Sequence, residues 1–161
     1  MNSRERISRA LAGSALRCFV AGCAAISLAG CGTLSGAQQS CESTIGLTEP
    51  KTVSCTGSVE TVSGSPSLSV IEIDDLDGAF TLETTITVGR GAAEASVTDI
   101  DDRRMGGEVS PGEPLEIGAV VYPEPAAGAD EDTEEVEVQL EVKEGEEVED
   151  LSYEATLVER N

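Results

Sequence analysis

Two short stretches gather side chains able to hold a hard cation: Glu72-Ile73-Asp74-Asp75-Leu76-Asp77-Gly78 and Asp99-Ile100-Asp101-Asp102. Calcium takes carboxylate and carbonyl oxygens, and turns rich in aspartate offer several within a few residues. Asp74, Asp75, Asp77, Asp99, Asp101 and Asp102 are therefore the candidate calcium ligands. The spacing is not that of an EF-hand. With Gly78 at the sixth loop position, the first falls on Ile73 and the twelfth on Thr84, neither of which supplies a carboxylate. No other cofactor is implied by the residues present.

Nucleophilic chemistry finds no support. Serine and cysteine hydrolases use an adjacent base, most often histidine, and the chain contains none. A serine-lysine pair would have to use Lys51 or Lys143; neither has serine three residues before it, and Thr48 is the nearest imitation. Paired carboxylates can act as acid and base on glycosides. Among 31 acidic residues, however, close pairs arise by chance, and Phe80, Tyr122 and Tyr153, the aromatics after Cys31, are expected mainly in the core. The expectation is a non-enzymatic protein.

Cysteines and the N-terminal segment carry more information. The first thirty residues contain Arg4, Arg6, Arg9 and Arg17 against the single acid Glu5, followed from Cys18 to Leu28 by apolar and small residues only. Basic, then apolar, then small is the order of a secretory signal, and the apolar run is too short for a membrane-spanning helix of about 20 residues. Near its end two similar tetrapeptides occur, Val20-Ala21-Gly22-Cys23 and Leu28-Ala29-Gly30-Cys31. Each resembles the lipobox of bacterial lipoproteins, in which the cysteine thiol receives a diacylglyceryl group before cleavage. Use of Cys23 would leave an apolar core of Cys18 to Gly22 only, below the roughly 7–15 residues usual for such cores, whereas Cys31 leaves Cys18 to Gly30. The resemblance implies residues 1–30 as signal peptide, lipid on Cys31, and attachment to the outer side of a bacterial membrane or its periplasmic side. Gly32 is not the aspartate that resembles a retention signal at this position.

The whole chain has 10 basic and 31 acidic residues. Loss of the signal leaves six basic side chains against thirty acidic ones, a net charge of −24. A field of that sign repels phosphate backbones, which disfavours nucleic acid as a partner and leaves lipid, or an envelope protein, as the expected contact. Arg103-Arg104 is the one basic cluster, and Ala129 to Glu135 reads as a flexible acidic loop or a docking site for a basic partner. Cys41 and Cys55 form an even pair after Cys31, which outside the cytoplasm reads first as a disulfide.

These groups need a scaffold, and the pattern supplies one. Residues 31–50 read as a tether, small and polar in Gly32 to Ser40, followed by the start of the disulfide loop; residues 51–161 read as the folded domain. Within it a period of two recurs. Phe80, Leu82, Thr84, Ile86 and Val88 share one face, and Val136, Val138, Leu140 and Val142 share another. Further strands are expected at Thr52 to Val62, Ser67 to Asp74, Glu94 to Ile100, Leu115 to Tyr122 and Leu151 to Val158. Between them lie turn signals, among them Ser65-Pro66, Asp77-Gly78 and Met105-Gly106-Gly107. At Val70-Ile71 the alternation breaks, as at a bulge. About seven short strands with no helical period predict a single all-β, antiparallel β-sandwich of immunoglobulin-like size. The tryptophan characteristic of immunoglobulin domains is missing.

Overall fold

The computed structural model describes residues 32–44, 50–74, 76, 78–126, 128 and 133–160. Among them the chain is all-β, two antiparallel sheets packed face to face. The strands are β1 (Thr33–Ser35), β2 (Gln38–Thr44), β3 (Thr52–Ser63), β4 (Ser67–Asp74), β5 (Phe80–Thr87), β6 (Ala93–Thr98), β7 (Arg104–Val109), β8 (Leu115–Val121), β9 (Glu124–Pro125), β10 (Thr133–Val142) and β11 (Val148–Glu159). One sheet runs β1-β3-β11-β5-β8, with β2 also on β3; the other runs β4-β10-β6-β7, with β9 on β10.

The period of two does what it predicted. Phe80, Leu82, Thr84 and Ile86 are buried on β5, and Val136, Val138, Leu140 and Val142 on β10. Thr84 tolerates that position because its hydroxyl donates to the Glu154 carbonyl at 3.0 Å. At Val70-Ile71 both side chains are buried, and the pairing with β10 shifts between Val136 and Glu137, so the expected bulge is present.

Three expectations are corrected. Gly32 to Ser40 is not a tether: Thr33–Ser35 and Gln38–Thr44 pair along β3 in one register, Thr33 opposite Ser63 and Gln38 opposite Ser58. The strand is interrupted at Gly36-Ala37, where Gly36 takes a φ of 66° and a Cβ on it would lie 2.4 Å from Glu60 Cγ. The domain thus begins at Thr33 rather than at residue 51. Met105-Gly106-Gly107 is not a turn but the middle of β7, where a Cβ on Gly106 would lie 2.0 Å from the Ala95 carbonyl oxygen. Glycine is chosen there for close approach of two backbones, not for reversal. Thr133 to Glu135 belong to β10 rather than to an acidic loop, and Ala129 to Asp132 lie outside the described residues.

Tyr153 ties the two sheets together. It stands opposite Gly57 in the β3–β11 pair, and its ring occupies the space a Cβ at residue 57 would need, 2.2 Å from Cζ. Its hydroxyl donates to the Ser69 carbonyl on β4 at 3.3 Å. Burial, and after it the charge of Glu72, raises the phenol well above its ordinary value. The neutral form is therefore the native form. Stability should be fully present below the unfolded tyrosine value of about 10 and fall as pH rises beyond it, by up to about 1.4 kcal/mol per pH unit while only the unfolded chain ionises. Urea titrations between neutral and strongly alkaline pH should show this loss, and Tyr153→Phe should remove that part of the slope; an unchanged slope in the variant would count against the buried phenol.

Candidate functional site

The disulfide is in place. Cys41 on β2 and Cys55 on β3 are direct cross-strand partners, with 4.1 Å between their Cα atoms and a bond between their sulfurs. Cys55 is buried in the core, and Cys41 packs at its edge with Gln39 Nε2 at 3.2 Å from its sulfur. A bond of this kind suits an oxidising compartment outside the reducing cytoplasm.

The carboxylates of the β6–β7 turn are engaged locally. In the β6–β7 turn, Asp99 Oδ1 accepts from the backbone N–H groups of Asp101 at 2.9 Å and Arg103 at 2.8 Å. Its second oxygen faces Arg103 Nε at 3.9 Å, and the Arg103 guanidinium also binds the Asp101 carboxylate. Asp102 takes a φ of 59°, which a short polar side chain tolerates better than most. These carboxylates organise a tight reversal and neutralise an arginine.

Asp74, at the end of β4, accepts from the Thr133 hydroxyl at 3.2 Å, while Asp75 and Asp77 lie outside the described residues. The topology brings both turns to one end of the sandwich but keeps them apart. β10 lies between β4 and β6, which separates those strands by two strand spacings, about 10 Å. Among the described residues no group of three or more His, Cys, Asp or Glu is placed to hold a metal ion.

Arg104 is likewise engaged locally. It donates to Ser96 Oγ at 2.7 Å and lies 3.9 Å from Glu94 and 3.7 Å from Glu141, so the basic pair is spent on its own neighbours. Tyr122 departs from expectation: at the end of β8 it is 60% exposed instead of buried. It comes one residue after the last inward position, Val121, so the period of two turns it outward.

Cys31 and the signal segment lie outside the described residues. Gly32, the next residue, is half-buried against the β3–β4 turn, where a Cβ would lie 2.5 Å from Pro66 Cδ. Sequence inspection missed this contact, because small residues at Gly32 to Ser40 look the same in a linker and in an edge strand. Among the described residues no helix is long and apolar enough to cross a membrane.

No protein family model matches the chain, and no curated protein matches it. Among solved structures, the chain is similar to procruciferin, the 11S globulin of Brassica napus, at 14% identity over 66% of this chain and 20% of that one, with a TM-score of 0.31. It is also similar to the recombinant pro-11S globulin of pumpkin, at 14% identity, 76% and 26% coverage and a TM-score of 0.34. Pumpkin seed globulin gives 12% identity, 76% and 26% coverage and a TM-score of 0.31. The chain thus spans between a fifth and about a quarter of the length of these globulins.

Proposed function

We propose that the protein is an exported lipoprotein, anchored by lipid on Cys31, whose β-sandwich serves as a non-enzymatic binding, assembly or envelope-structural module. The observation that carries this reading is Leu28-Ala29-Gly30-Cys31 at the end of a basic-then-apolar segment of suitable length. Two acyl chains suffice for stable attachment where one is marginal, each buried methylene contributing about 0.8 kcal/mol. The disulfide agrees with export. The non-enzymatic reading is supported by the absence of histidine from the sequence and by Asp99 and Asp101 serving a turn and Arg103 rather than an open cleft.

Labelled palmitate supplied to a bacterial host expressing the full chain tests the anchor. The wild type and Cys23→Ala should take up label and sediment with membranes, and Cys31→Ala should take up none. Label retained by Cys31→Ala would refute the assignment.

A further inference from the structure

The described chain leaves almost no slack between the proposed lipid and the fold. Gly32 packs on Pro66, and Thr33 is already paired with Ser63. Cys31 is one peptide unit earlier, so its Cα lies within about 3.8 Å of that of Gly32. The diacylglyceryl group on the cysteine places that residue at headgroup depth. An anchor this short limits how far the end of the domain that bears it can move from the surface.

Topology says which end is held. Because β1 runs antiparallel to β3 and starts opposite its last residue, the chain enters at the end where β3 finishes and β11 begins. The β3–β4 turn and the β10–β11 turn, Lys143 to Glu147, meet there. Leu140 N–H donates to the Pro66 carbonyl at 2.9 Å and Val142 N–H to that of Gly64 at 2.8 Å, which fixes one turn against the other.

Resting on lipidation at Cys31, we infer that this end, formed by Gly32, Ser65-Pro66 and the Lys143–Glu147 turn, is a seating face held against a lipid bilayer surface. The opposite end, with the Asp99–Arg103 turn and Tyr122, is directed away from the membrane. The seat is imposed by covalent shortness rather than by charge. Glu144, Glu146 and Glu147 outnumber Lys143 in that turn, so anionic headgroups would push it off and zwitterionic ones would not.

The test uses the lipidated protein after removal of residues 1–30, with one added cysteine, Glu144→Cys or Tyr122→Cys, both exposed positions, labelled with a thiol-reactive fluorophore. Cys41 and Cys55 are held in their disulfide, and the thiol of Cys31 is consumed by lipid. The labelled protein is reconstituted into phosphatidylcholine vesicles carrying a headgroup spin label, and co-flotation is measured alongside quenching. β11 alone has 12 residues, about 40 Å at strand rise, so the two labels should experience very different quencher densities.

The label at residue 144 should be quenched severalfold more than that at 122, with Glu146→Cys repeating the result. A flexible insert of ten Gly-Ser residues between Gly32 and Thr33, with a reach of about 17 Å, should bring the two towards equality. Equal quenching without the insert, on protein that floats with the vesicles, would overturn the seating face and leave the anchor standing. Failure to float would overturn the anchor and the seating face with it.

Discussion

Replacing Phe80 by alanine is expected to lower the unfolding free energy by about 3–5 kcal/mol, the range for removing a large aromatic from a core that relaxes only in part. Phe80 opens β5, has no exposed surface, and sits between Val121 of β8 and Glu159 of β11 in the sheet register. The remaining fully buried large side chains are aliphatic, including Ile71, Leu82, Ile86, Leu140, Leu151 and Leu157. Among the described residues the other two rings are placed elsewhere, Tyr153 committed to Gly57 and the Ser69 carbonyl and Tyr122 turned outward. Small domains hold only about 5–15 kcal/mol in total, so this loss is a large fraction of the whole. Equilibrium urea unfolding should show a lower midpoint at unchanged slope. Phe80→Leu should lose much less; a cost below about 1 kcal/mol for alanine would contradict the packing described.

Removal of the disulfide is expected to have the next largest effect. The bond closes a loop of about 15 residues, for which chain entropy gives about 3 kcal/mol. Cys41→Ala with Cys55→Ala is the suitable pair, because either change alone would leave an unpaired thiol, buried at Cys55 or partly buried at Cys41.

The loss should also be local. β1 and β2 pair along β3 alone, apart from one side-chain bond from Gln39 Nε2 to the Val70 carbonyl on β4 at 3.2 Å, and bury little beyond Leu34, Gln39 and Cys41, so without the disulfide this edge is the least secured part of its sheet. Hydrogen exchange should accelerate across Thr33 to Thr44 much more than across β11, which is paired on both sides. Uniform acceleration, or an unchanged unfolding midpoint on reduction, would contradict this role. If the edge peels, the chain after Cys31 gains the slack that the intact bond denies it, so the disulfide also bears on the proposed seating face.

How much of this was legible in the sequence depended on where apolar residues could register. β4 and β5 were readable to within a residue because each buries one face, and the Val70-Ile71 break marked a real bulge for the same reason. β1 and β2 were not, because an edge strand of Thr, Ser and Gln needs only one row of backbone hydrogen bonds, which no hydropathy pattern records. β7 was hidden by Gly106-Gly107, residues whose usual meaning is a turn, whereas Gly106 here marks proximity to Ala95 and Ser96.

The candidate site divides similarly. The proposed lipobox is wholly a matter of sequence, since it lies outside the described residues. The pairing of Cys41 with Cys55 followed from their number and spacing. The roles of Asp99 and Asp101 did not, because carboxylates for calcium and carboxylates that cap a turn beside an arginine share one composition. What distinguishes them is the direction of the Asp101 and Arg103 N–H groups. The nearness of anchor and sheet required the register of Thr33 with Ser63, which only the fold supplies.

The central claim is that Cys31 is the lipid-bearing first residue of the working protein. Mass spectrometry of the protein extracted intact from membranes tests it most directly. The expected species begins at Cys31 and carries the added mass of a diacylglyceryl group on that residue. An unmodified N-terminus at any other position would contradict it.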